Sequence, residues 1–484
     1  YDDGGNAFRQ GRTFGEGAVM KGALDKIRRV HLIGIGGAGM EGLARILAAK
    51  GVAISGSDRV DSRVLAQLRE EGFAVRVGHD ANFVAGADLV IYSAAIPAQN
   101  PERTAAARLG IPAASRAEVL GELSRTPFTL AVAGTHGKTT TASMVAAILR
   151  RAGIAPQVLI GGWLEGKSQA AAGAGEVLVV EADEFARSFL HLYPDLALVT
   201  GVDAEHLDCY SGLADLEKAF AAFLARLSDG GRGLMAGDGL VGEGLRTAMD
   251  RSYRTYGMAL DNDYQIADLQ ECNWGSRFAL CFEGRRLGEI ELQVHGAHNA
   301  RNAAGAAAMA LEMDVDFTAV AGALAQFSGV DRRFQRKGEV DGVLVVDDYA
   351  HHPTELAAVL AAARQSGRRI VAVFQPHLYS RTRDFAADFA RELSAADYVV
   401  LAEVFAAREE PLPGVDSGAL AAAMRAAGFA AVEYVPEREG LVPRLAELCR
   451  AGDLVLILGA GDIGAVAEEF LTVLADKTAA EAES

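Results

Sequence analysis

The run Gly134-Thr135-His136-Gly137-Lys138-Thr139-Thr140 lies between an apolar β-branched stretch and an Ala-rich helical one. It is the strongest chemical signal in the chain. In that setting loop amides cradle phosphate oxygens, Lys138 reaches the β- and γ-phosphates, and Thr139 offers a hydroxyl to Mg2+. The common G-x-x-x-x-G-K-[ST] spacing would put its first glycine at Val132, so this loop is a variant. The chemistry it indicates is consumption of ATP or GTP. Downstream, Glu181 of Glu181-Ala182-Asp183-Glu184 closes a strand-like run, where a metal-ligating carboxylate belongs beside such a loop. A solvated acidic turn is the plain alternative. His206, within Val202-Asp203-Ala204-Glu205-His206-Leu207-Asp208, could ligate the same metal or act as a loop hydrogen-bonder, and in isolation the second role is the commoner.

A second glycine-rich loop, Gly34-Ile35-Gly36-Gly37-Ala38-Gly39, ends the first strand-like run and opens a helical one. Such glycines let the backbone approach a pyrophosphate, with the helix N-terminus supplying N–H donors. Asp58 closes the following strand, where a carboxylate could accept hydrogen bonds from a ribose. That pattern alone would read as a nicotinamide dehydrogenase, but the pattern is weak on its own. A third loop, Gly459-Ala460-Gly461-Asp462-Ile463-Gly464, repeats the spacing near the end of the chain and reads as a tight strand-to-helix turn. His31, His79 and His191 read as structural.

These loops need elements to hold them. Val30–Ile35, Ala53–Gly56 and Asp88–Tyr92 read as strands, alternating with helices near Met40–Lys50 and Ser62–Glu71. A turn-rich break at Ser124–Thr129 precedes strand Leu130–Ala133 and helix Lys138–Arg151, then strands Val177–Glu181 and Leu196–Thr200. Residues 229–295 look like hairpins, and from Val343 the α/β alternation resumes. With 484 residues, the chain exceeds one core, and three α/β domains are expected: 20–127, 128–329 and 330–484. Residues 1–19 read as a tail of unknown origin, with Met20 as a native start.

The formal charge of −17 argues against a nucleic-acid partner, while leaving room for a local nucleotide site. No apolar stretch reaches membrane-spanning length and the first residues have no signal-peptide core, so the expectation is a cytoplasmic protein with no membrane partner. The four cysteines have no C-x-x-C spacing, which reads as reduced, mostly buried thiols rather than a disulfide framework or a zinc site.

Two further clusters carry potential chemistry. His298-Asn299-Ala300-Arg301-Asn302 opens an Ala-rich helix, and Asn302 offers an amide for an adenine edge, or ordinary capping. Asp347-Asp348-Tyr349-Ala350-His351-His352-Pro353 ends a strand, and Phe374-Gln375-Pro376-His377 with Arg381 and Arg383 follows the next one. Arginines and histidines at parallel strand ends suggest an anion-binding crevice.

In this order, HLIGIGGAGM, SGSD, YSAAI, GTHGKTTT, EADE, AEHLD, HNARN, GVDRRF, DDYAHHPTE, FQPHLYSRTRDF and AREEPLPG resemble the Mur ligases, the ATP-dependent amide-forming enzymes of peptidoglycan precursor synthesis. The likeness runs from about His31 to Gly464. YSRTRDF and AREEP look like the branch that adds L-alanine to UDP-N-acetylmuramate; the branch that attaches recycled murein tripeptide is the alternative. The resemblance implies a Rossmann-like N-terminal UDP-binding domain, a central P-loop ATPase-like domain and a Rossmann-like C-terminal domain for the amino acid. It implies that Gly36, Gly37, Gly39 and Met40 meet the UDP pyrophosphate, with Asp58 and Ser93 beside them. It puts ATP on Gly134 to Thr140, Asn302, Arg333 and Asp348, and Mg2+, with Mn2+ able to replace it, on Thr139, Glu181 and His206. It makes Lys138, Glu181, His206 and Arg333 catalytic, and turns His352, His377 and Arg381 toward L-alanine or the muramoyl carboxylate. A monomer or homodimer is expected. Leu378 stands where some relatives carry Arg, and Lys218 looks out of register with the carbamylated lysine of other branches.

Overall fold

A computed structural model describes residues 24–37, 39–161, 163–164, 167–168, 175–203, 209–247, 253–272, 275–407 and 409–483. His206, the 1–19 tail and Met20 fall outside the described residues. Among the described residues three large sheets follow one another along the chain, joined by helices that cover their faces, and Trp163–Leu164 pairs with Lys167–Ser168 in a small two-stranded ribbon.

The first sheet has five parallel strands in the order Ala74–Val77, Ala53–Asp58, Arg29–Ile33, Leu89–Tyr92, Ala113–Ser115. The order reverses on either side of Arg29–Ile33, and the Gly34–Gly39 loop leaves that strand at the switch point, where α/β sheets bind ligands. The strand ends at Ile33, two residues before the sequence pattern suggests, because Gly34 (φ +80°) already turns the chain. Ser115 begins the last helix of this unit with a capping box: its side chain accepts the Glu118 N–H and the Glu118 carboxylate accepts the Ser115 N–H.

The central sheet has nine strands. Phe128–Ala133 lies inside it, paired in parallel with Val177–Ala182 on one side and Leu196–Val199 on the other. Five of its six residues are buried, as expected of a parallel strand covered on both faces. Tyr264–Cys272, Gly275–Phe282 and Arg285–Leu292 extend the far edge as an antiparallel meander, the hairpins read from residues 229–295. Helices Lys138–Arg151 and Ala297–Leu311 pack together over this sheet. The second is built almost entirely of Ala, Gly and Asn on its buried side, and at Gly305 a Cβ would come 2.8 Å from the Tyr256 ring. Small residues let this helix lie close to the strands.

The third sheet runs Gln335–Val340, Val343–Asp348, Asp453–Leu458, Arg369–Phe374, Tyr398–Leu401, Val432–Tyr434, with only the first strand antiparallel. Every residue of Val343–Asp348 and Asp453–Leu458 is buried. The repeated glycine loop after Leu458 is a turn, in which Arg332 donates to the carbonyls of Gly459 and Gly461. No described helix is long and apolar enough to cross a membrane. Cys209, Cys281 and Cys449 are half-buried, more open than the sequence pattern suggests.

Candidate active site

Strand Phe128–Ala133 delivers the loop Gly134–Gly137 to the C-terminal edge of the central sheet, at the position between its two parallel neighbours. Two glycines there have a steric reason. Gly134 (φ +134°) lies against Thr200, and Gly137 (φ +80°) lies against the Asn302 amide; a Cβ at either would overlap those neighbours. Gly137 is also the N-cap of helix Lys138–Arg151, and no side chain caps it. The first-turn N–H groups therefore point at the space a phosphate would occupy.

Lys138 Nζ is folded back. It donates to Gly134 O at 2.6 Å and to Thr135 O at 3.1 Å, and lies 2.9 Å from the fully buried Glu184 Oε2. Thr139 Oγ1 donates to Glu181 Oε1 at 2.9 Å, and the other carboxylate oxygen accepts the Gly161 N–H at 3.0 Å. A hydroxyl and a carboxylate side by side at the end of a buried strand are hard oxygen donors of the kind Mg2+ takes, so these two residues fit a magnesium site. Burial, and then the neighbouring Glu184, push the Asp183 carboxyl up from its ordinary range.

Beside the loop is a cavity of about 480 Å3 whose walls include Gly137, Thr140, Asn302, Arg333 and Asp348. Asn302 faces Gly137 and its amide donates to Asn299 Oδ1 at 3.4 Å. Burial pushes the His298 imidazole down to about 4, so it is neutral in this wall. Asp348 accepts the N–H groups of Phe334 at 2.6 Å and Ala350 at 2.7 Å; burial nevertheless pushes its carboxyl up to about 6. Arg333 lies 3.7 Å from Glu355, whose own carboxyl is held well below the ordinary range: burial opposes this, but His351, His136 and Arg333 together outweigh it. The C-terminal unit is docked on the central one: Thr354 Oγ1 donates to Asp203 Oδ2 at 2.6 Å across the junction.

A second cavity of about 770 Å3 lies where all three units meet. Gly39 and Arg116 enter it from the first unit, Thr139 and Glu181 from the second, and Arg332 and Arg333 from the third. Gly39 (φ +78°) is the uncapped N-terminus of helix Met40–Ala49, and the Arg116 guanidinium lies against it. Gly36 N–H donates to Asp58 Oδ2 at 2.9 Å, so Asp58 holds the shape of this loop. Ser93 is half-buried beside Gly34, while Met40 is only 1% exposed, with its N–H donating to Gly37 O.

The histidines expected around the third substrate divide into two places. His352 is buried, its Nδ1 accepting the Thr354 N–H at the start of helix Pro353–Arg364, and its ring centre lies 5.3 Å from that of His136. His377 stacks on Phe405, with Arg381 Nη1 3.3 Å from its Nδ1 and His351 at its edge. Leu378 adopts φ +70°, a strained backbone for a branched residue, between those two side chains.

Sequence reasoning missed Arg116, Glu355 and Asp203, and it left Glu184 without a role. Glu184 belongs to the acidic run already singled out. Arg116 directly follows the Ser115 cap, and an Arg at the first position of a helix, where the dipole disfavours it, is the one available signal.

Three family models match the chain in order: "Mur ligase family, catalytic domain" over residues 29–127, "Mur ligase middle domain" over 132–310, and "Mur ligase, glutamate ligase domain" over 332–461. A UDP-N-acetylmuramate–L-alanine ligase of Salinibacter ruber is 44% identical over 93% of this chain and 96% of its own length. Another of that name from Acidothermus cellulolyticus is 45% identical over 90% of this chain and 93% of its own. Among solved structures, the UDP-N-acetylmuramate–alanine ligase of Thermotoga maritima superposes with a TM-score of 0.79 at 27% identity, covering 93% of this chain and 99% of the other. Matched by three family models across most of its length and by relatives sharing more than two-fifths of its residues, the chain belongs to the Mur ligase family.

Proposed function

We propose that this chain joins L-alanine to the lactyl carboxylate of UDP-N-acetylmuramate at the expense of ATP, a step of peptidoglycan precursor synthesis. One observation carries the site reading: Gly39 at the end of the first unit's glycine loop, the Thr139–Glu181 pair and Arg333 all face one cavity. A substrate that begins in the first unit can therefore end beside the ATP phosphates.

The carboxylate oxygen attacks the γ-phosphorus of ATP, ADP leaves, and an acyl phosphate forms. Two anions approach each other in that step, and Lys138 and Arg333 compensate the repulsion with preorganised charge. Thr139 and Glu181, with His206, would hold Mg2+, which would supply Lewis-acid neutralisation of phosphate charge. Lys138 must leave Glu184 to reach the nucleotide. The alanine amine then attacks the acyl carbon, and the tetrahedral adduct collapses to the amide and inorganic phosphate. Arg381 and His377 lie in the third unit, where a guanidinium suits a carboxylate. Asn302 faces the adenine, Asp348 the ribose, and Gly36, Gly37 and Gly39 the UDP pyrophosphate. We divide the chain at 127 and 329, and place it in the cytoplasm.

Tripeptide addition is not favoured, since the relatives of 40–45% identity carry the L-alanine name. Hydride transfer has no support once the first glycine loop serves a UDP pyrophosphate. The test is phosphate release with ATP, Mg2+ and UDP-N-acetylmuramate, scanned over amino acids and murein tripeptide. L-alanine is expected to be best. Equal or faster turnover with tripeptide transfers the chain to the recycling branch.

A further inference from the structure

Both ring nitrogens of His136 face carboxylates. Nδ1 lies 3.4 Å from Glu355 Oε1, and Nε2 lies 3.5 Å from Asp203 Oδ2. A neutral imidazole carries one proton, so one of these contacts would set a nitrogen lone pair against an anion. The place calls for a cation, either a second proton or a metal ion. A third donor decides between them: one ligand atom each from His136, Asp203 and His352 lie within 4.8 Å of one another. A proton bridges two atoms, whereas three donors around one centre suit an ion.

We propose that His136, Asp203 and His352 form a site for a borderline-soft divalent ion of the Zn2+ class, separate from the hard oxygen site at Thr139 and Glu181. Bonds of about 2.0–2.1 Å in a tetrahedron set neighbouring ligand atoms roughly 3.4 Å apart. The His136–Asp203 spacing already meets that edge. The surroundings also match a metal centre, where ligand groups are oriented by further hydrogen bonds. Glu355 takes the His136 Nδ1 side, and Thr354 Oγ1 donates to Asp203 Oδ2 at 2.6 Å. One cost falls on His352, whose lone pair would leave the Thr354 N–H, a bond of 3.4 Å at the long limit. The helix start survives this, because Glu355 still accepts the His351 and His352 N–H groups. His136 belongs to the phosphate loop and His352 to the third unit, so an ion here ties the two together without nucleotide.

The test is Co2+, a spectroscopic stand-in for Zn2+, titrated into the full nucleotide-free chain with Mg2+ present to fill the oxygen site. One equivalent with the visible absorption of four-coordinate Co2+, displaced by Zn2+, is expected. Asp203→Asn and His352→Asn should each abolish the band; Asn is itself a good N-cap, so the second variant keeps its helix start. Glu355→Gln should weaken binding by about 10–100-fold, and Glu181→Gln should leave the band unchanged. No saturable band, a band that survives both ligand variants, or thiolate-to-cobalt charge transfer from a cysteine would each overturn the site.

Discussion

Lys138 Nζ lies 2.9 Å from Glu184 Oε2, and the Glu184 side chain is wholly buried. The phosphate-loop lysine is thus neutralised from inside the central unit before any nucleotide arrives. ATP must compete with that carboxylate. Lys138→Met should abolish phosphate release and also destabilise the fold, because it strands a buried charge at a cost of about 3–5 kcal/mol. The double variant Lys138→Met/Glu184→Gln should recover much of the stability while remaining inactive. Urea denaturation and turnover on the three proteins measure both. A single variant as stable as the parent would mean that the pair contributes nothing to folding.

Glu181 makes two hydrogen bonds, to Thr139 Oγ1 and Gly161 N–H, and a glutamine can keep one or both. In the proposed magnesium site its charge is what the ion would need. Glu181→Gln should therefore lower kcat by roughly 10²–10³-fold, a loss of a few kcal/mol of transition-state stabilisation, with little change in Tm or in UDP-N-acetylmuramate affinity. His206→Ala should behave in the same way, with partial recovery in Mn2+. Lower Tm with near-normal kcat would make both residues structural.

What the sequence revealed and what it hid have one physical cause. Helix Lys138–Arg151 was legible to the residue, because a glycine N-cap and an apolar period mark it locally. The Gly459–Gly464 loop was legible as a turn for the same reason. The Asp203–Thr354 bond joins residues 151 positions apart across two units, and no local pattern records it. Glu184 was visible, yet its burial depends on how neighbouring elements pack, which spacing alone does not encode. His352 looked like a partner of His377, since both follow strands of one sheet. Docking of the third unit instead puts its ring beside His136.

Arg381 is 9% exposed and its guanidinium lies 3.3 Å from His377 Nδ1. A guanidinium forks onto a carboxylate, whereas an ammonium gives one point contact. Arg381→Lys should therefore raise KM for L-alanine or UDP-N-acetylmuramate by at least about 10-fold, equivalent to roughly 1.4 kcal/mol, while KM for ATP changes little. Steady-state kinetics varying each substrate in turn decides it. Unchanged KM for both carboxylate substrates would leave Arg381 as support for His377.

Asp348 couples the ATP pocket to pH. Burial raises its folded-state carboxyl to about 6 from an ordinary 3.8, so the folded chain holds this proton more tightly than the unfolded chain does. Stability from this group is then fully present below the unfolded value and is lost as pH rises through the folded one. Asp348→Asn cannot ionise and should flatten that fall. Between about pH 4 and pH 7.5, the parent should lose on the order of 3 kcal/mol more stability than the variant. In its proposed place at the ribose the ionised carboxylate is the better hydrogen-bond acceptor, so ATP affinity in the parent should rise across the interval in which stability falls. In Asp348→Asn, ATP affinity should be weak and independent of pH over that interval. Chemical denaturation and ATP titration at matched pH separate the two effects. Parallel stability profiles for parent and variant would show that the Phe334 and Ala350 N–H groups already offset burial of the charge.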